Sequence, residues 1–167
     1  MKVNSSQNIY DPMRYDASFH LKVPVFLWIV MLYGMRHALF LFPSMRNAIG
    51  PAAEMLGDWR LALFDLPALA ALIAAASRVA DAKSWVRRVW HAGRHLLLFS
   101  YVCSSAGFVV LHRHVLGSAD DLRFSNAIAM LVVDVAMVVY LWQSELVRDV
   151  FADFPVPIDH EIKPSSG

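Results

Sequence analysis

The sequence predicts an all-α integral membrane protein, a four-helix bundle with both termini in the cytoplasm. Three observations predict it. Of 167 residues, 57% are hydrophobic and only 17% are charged, against about 25% charged in soluble domains, and the mean hydropathy is +0.45. The apolar residues gather into four runs rather than alternating as barrel strands do. Lys and Arg are shared unequally among the segments that connect those runs.

Residues 1–22 are a polar segment with a near-repeat, "IYDP" and "RYDA". The first span, 23–42, follows, with Pro24 tolerated in a first helical turn and Lys22 and Trp28 suited to an interface. A cleaved signal is not expected, because the apolar run is too long and no small-residue cleavage site follows it. An outer connection then leads into residues 50–64, read as a short surface helix anchored by Trp59. The second span, 61–79, starts with Asp65 as its cap and Pro67 in its first turn. Ala68, Ala71 and Ala75 give it one small-residue face for close helix packing.

Residues 81–95, "DAKSWVRRVWHAGRH", form an amphipathic approach to the third span, 93–112. Ser100 with Ser104, and Cys103 with Gly107, repeat the small-residue spacing there. Cys103 is the single cysteine, so no intrachain disulfide can form. The fourth span is 125–146, and 147–167 is a cytoplasmic tail whose proline-rich part, 154–167, is expected to be ordered only by a partner. Each span approaches the roughly 20 residues that cross about 30 Å of hydrocarbon at about 1.5 Å per residue.

Orientation follows from the basic residues. Lys2, Arg14, Lys22, Arg78, Lys83, Arg87, Arg88, Arg94, Arg148 and Lys163 lie on one side, ten in all, against Arg46, Arg60, Arg113 and Arg123 on the other. The richer side is the cytoplasmic one. Lys83, Arg87, Arg88 and Arg94 are placed to contact anionic lipid. The fifteenth basic residue, Arg36, falls inside a span.

Arg36 needs company, because a lone charge at a helix centre costs about 2.5–3.5 kcal/mol on insertion scales. Asp134, near the middle of the fourth span, and Asp65, in the outer half of the second, are its candidate partners. The pairing is expected to be structural; the alternative makes Arg36, Asp65 and Asp134 a proton or anion pathway in a small transporter or channel component. His91 and His95 read as interfacial cations, and no metal site is expected. No cofactor is expected either; the alternative is a b-type haem, or a quinone subunit, using His37 with His112 or His114. No phosphate-binding, dinucleotide or hydrolase motif occurs, so no catalytic residue is assigned and no nucleic acid is expected as a partner.

The stretch "YDASFHLKVPVFLWIVMLYGMRHALFLF" resembles the opening of the YfeZ-like family, through Tyr15, Asp16, Lys22, Pro24, Trp28 and Arg36. These are small uncharacterised inner-membrane proteins of proteobacteria with about four predicted spans. The resemblance implies a bacterial inner membrane and carries over no activity. The resulting expectation is a non-catalytic accessory or assembly subunit, whose partners are membrane lipids and other membrane protein subunits.

Overall fold

The computed structural model describes residues 21–43, 57–79, 81–113 and 121–155. Among them the chain is helical and forms no β-strand element. Three stretches, Trp59–Ala76, Ser84–Leu111 and Phe124–Gln143, are long and apolar enough to cross a membrane, and Val25–Gly34 is a shorter apolar helix. The near-repeat, residues 50–56 of the expected surface helix and residues 156–167 of the tail lie outside the described residues.

Each predicted span is modified by a local cause. Residues 23–42 resolve into α1 (Val25–Gly34) and α2 (Arg36–Phe40), because Met35 leaves the helix at φ −107° and ψ 20°. Gly34, just before the break, is a weak helix former. It is also a close-approach site: a Cβ there would lie 3.2 Å from that of Ala68. The second stretch is α3 (Trp59–Ala62), a 3-10 turn (Leu63–Asp65) and α4 (Leu66–Ala76). Pro67 explains the interruption, since it has no N–H and its ring crowds the carbonyl four residues earlier. Asp58 caps α3, accepting from the Arg60 N–H at 2.9 Å. The expectation that Asp65 caps the second span is corrected: it sits at the cap position of α4 but makes no capping hydrogen bond there.

The amphipathic approach and the third span are one helix, α5 (Ser84–Leu111), of 28 residues, or about 42 Å at 1.5 Å per residue. The fourth is α6 (Asp121–Gln143). It stops short of residue 146 because Ser144 turns extended, ψ 112°, and its hydroxyl accepts from the Val147 N–H at 3.3 Å to start α7 (Glu145–Ala152). The tail therefore opens as a folded helix, and Phe154, at the head of the part expected to be ordered only by a partner, is already buried. Val147, Val150 and Phe151 bury one face of α7, and that face rests on α5. A Cβ at Gly93 would meet the Phe151 ring at 2.4 Å, so glycine is what admits the helix.

The small-residue faces are used. Ala68, Ala71, Ala74 and Ala75 are buried in one core with Leu27, Val30, Met31, Leu97, Tyr101 and Leu141. Gly107 lets Leu61 and Phe64 close on α5, at 3.1 and 3.0 Å from its would-be Cβ. At one end, the approach to α1, the exit of α4, the start of α5 and the end of α7 converge. Arg78 donates to the carbonyls of Leu21 (2.7 Å) and Asp153 (3.0 Å) and reaches the Asp153 carboxylate at 3.3 Å. That carboxylate also accepts from the Leu21 N–H at 2.7 Å. The Trp90 indole donates to the carbonyls of Val150 and Asp153 at 3.0 and 2.9 Å. This clamp ties together segments up to 132 residues apart in sequence.

Candidate functional site

Both helix interruptions open onto one buried cluster. Residues of α2, the 3-10 turn, α5 and α6 supply it. Arg36 is 5% exposed, Asp134 2%, and His37 and Asp65 0%, so the charges are cut off from solvent and must satisfy one another. Arg36 Nη2 donates to Asp134 Oδ2 at 2.8 Å, and its Nη1 leans toward the Tyr33 carbonyl at 3.4 Å. The guanidinium carbon lies 4.6 Å from the Tyr33 ring centre, a cation–π distance. Ser105 Oγ donates to the same Asp134 oxygen at 2.8 Å.

Asp65 serves a second centre. Its Oδ1 lies 3.1 Å from His37 Nδ1 and accepts from Ser104 Oγ at 3.3 Å, while Oδ2 accepts from the Ala38 N–H at 2.9 Å. Ala38 is in the first turn of α2, where N–H groups have no helical partner. Asp65 thus caps a helix in another part of the chain, which is why it does not cap its own. Beside it, Ser100 Oγ donates to the Phe64 carbonyl at 2.7 Å, a carbonyl of the 3-10 turn. Tyr101 completes the surround, donating to the Val30 carbonyl at 2.7 Å and stacking on Tyr33 at 6.3 Å. Three buried polar atoms of the cluster have no hydrogen-bond partner among the described residues: Arg36 Nε, His37 Nε2 and Asp134 Oδ1.

The structure therefore brings Arg36, Asp65 and Asp134 into one cluster, with Arg36 on Asp134 and Asp65 on His37. Sequence reasoning named His37 only in the haem or quinone alternative, with His112 or His114. His112 stacks on Phe108 at 4.7 Å, and His114 lies outside the described residues. Ser104 was legible as a small packing residue, and its hydroxyl as a carboxylate partner was not; the usable signal was a serine pair at the depth of two aspartates. Of the expected lipid-facing cations, Lys83 and Arg88 are exposed. Arg87 lies over the Phe154 ring at 5.2 Å. Arg94 turns inward to the end of α6, donating to the carbonyls of Leu141 and Trp142 at 2.9 and 2.7 Å. No group of three or more metal-ligating side chains occurs among the described residues.

These features define a helical protein of membrane type, with apolar helices around a closed cluster of paired charges. A family model described as a protein of unknown function (DUF2919) matches residues 59–153, more than half of the chain. The chain belongs to that family. The match takes in α3 to α7 and ends at the clamp residue Asp153; it does not reach residues 15–42, which carry the YfeZ-like resemblance. No curated protein and no solved structure matches the chain.

Proposed function

We propose that the protein is a non-catalytic subunit of a bacterial inner-membrane complex, crossing the membrane four times with both termini in the cytoplasm. The YfeZ-like resemblance and the ten-to-four division of basic residues support the membrane and the orientation. The clamp supports an even number of crossings, because the approach to the first span, the exit of the second, the start of the third and the end of α7 meet there. With the charges consumed inside the chain, action falls to its outer faces.

The observation that carries the proposal is the outward face of α6. Ile128, Val132, Val135, Val139 and Trp142 are all exposed, at steps of four, three, four and three residues. That spacing is the seam along which one helix packs on another. Its β-branched side chains are stiff and lose little freedom on docking, and Ala129 and Ala136 beside them permit close approach. The test is purification from native membranes in mild detergent. A stoichiometric membrane partner is expected, and it is expected to be lost when Val132 and Val135 are changed to Trp while the fold survives. A protein that elutes alone, or a partner indifferent to those changes, overturns the proposal.

A second reading, a proton-coupled transporter component, is favoured by one feature: two interrupted helices meeting at ionisable groups with unpartnered atoms, as in transporter binding sites. Proton uptake by proteoliposomes that vanishes in His37→Phe would establish it in place of the first. The haem reading has less support, since His37 is fully buried; a visible absorption spectrum tests it.

A further inference from the structure

We propose that a groove beside Arg60 holds one phospholipid, with an acyl chain along α5 and the phosphate on the guanidinium. The groove has a volume of about 550 Å³ and lies between the α3 region and the second half of α5. Leu63, Phe64, Cys103, Gly107 and Val110 line it, and Arg60 is its single charged wall residue.

The register of the two walls fixes its direction. Ser100 meets Phe64, Ser104 meets Asp65, and Gly107 meets Leu61. Arg60 therefore lies toward the Leu111 end of α5, and Cys103 lies toward the charge cluster. From Cys103 to Leu111 is about 12 Å at 1.5 Å per residue, most of the roughly 15 Å depth of one leaflet's hydrocarbon. A slot of that length, apolar along its walls, with the exposed Arg60 guanidinium at its rim rather than in its lining, matches a lipid chain under an anionic headgroup.

Two details strengthen the assignment. Arg60 is exposed, rests over the Trp59 ring at 6.0 Å, and forms no ion pair among the described residues. An indole beside an arginine suits the headgroup level. Ala106 and Gly107 line the slot on the α5 side, where their small side chains add little bulk. A protein helix seated here would meet at the rim a guanidinium with no ion pair among the described residues, whereas a phosphate supplies the bidentate acceptor that arginine takes best.

Native mass spectrometry of the full chain, released from nanodiscs of equal parts phosphatidylglycerol and phosphatidylcholine, tests this. The wild type is expected to retain one phosphatidylglycerol. Arg60→Gln, an exposed change that leaves the core intact, is expected to reduce retention about fivefold, the effect of one basic residue near a lipid headgroup. Cys103→Phe, which fills the slot, is expected to abolish retention of either lipid. Complete loss of lipid from the wild type, equal retention by Arg60→Gln, or a bound mass that is a fatty acid or a protein each overturns the proposal.

Discussion

The charge cluster and the clamp both close gaps in the helical backbone, and they do so with opposite chemistry. At the clamp, cationic and indole donors go mainly to backbone carbonyls: Arg78 to Leu21 and Asp153, Trp90 to Val150 and Asp153, and nearby Arg94 to the end of α6. Apart from the Leu21 carbonyl, which precedes α1, these are the orphan acceptors that a helix C-terminus leaves, and a cation there also suits the helix dipole. In the cluster the freed group is an N–H, that of Ala38, and a carboxylate serves it. Placing a carboxylate in the interior calls for His37 beside it, and Asp134 likewise has Arg36. The clamp's Arg78–Asp153 ion pair leaves the Asp153 side chain 30% exposed. The clamp can lose a charge to solvent; the cluster cannot.

Breaking each region separately sharpens that contrast, with stability measured by thermal unfolding in mild detergent. Asp65→Leu has the largest expected effect. It leaves His37 Nδ1, the Ala38 N–H and the Ser104 hydroxyl without their acceptor, a loss of about 3–5 kcal/mol. A loss below about 1 kcal/mol would mean that water already reaches the cluster. Gly93→Ala comes next: the new methyl strikes the Phe151 ring, at about 1–3 kcal/mol for overpacking. Adding Phe151→Leu is expected to return part of it, and no recovery would show that α7 docks elsewhere. Asp153→Asn is smallest, under about 1 kcal/mol, because Arg78 keeps both carbonyls and the amide oxygen still accepts from the Leu21 N–H. A loss as large as that of Asp65→Leu would erase the distinction between the regions.

How much of this was legible in the sequence depends on the range of the interaction. The helices were legible because burial leaves a periodic, local trace, as with Ala68, Ala71 and Ala75. The breaks were half legible: Pro67 marks one, while at the other Gly34 gives only a weak signal beside Met35. The grouping of Arg36, Asp65 and Asp134 was legible from cost alone, since a buried Arg36 demands acid; His37 and the serine hydroxyls were not. Which acid it takes was not, because Asp65 is diverted by the Ala38 N–H, a demand created only by the break in the first span. The clamp left no trace at all. Arg78 reads as an ordinary basic residue in a connection, and its partners lie 57 and 75 residues away.

The central claim is that Arg36 and Asp134 form a structural lock inside this chain, and a double-mutant cycle on that pair tests it most directly. Arg36→Leu and Asp134→Leu are each expected to destabilise the protein by about 3–5 kcal/mol, since each strands a buried charge. The double replacement removes both desolvation costs and is expected to be markedly more stable than either single variant. A double variant no more stable than Arg36→Leu alone would contradict the lock and place the partner of Arg36 outside the chain.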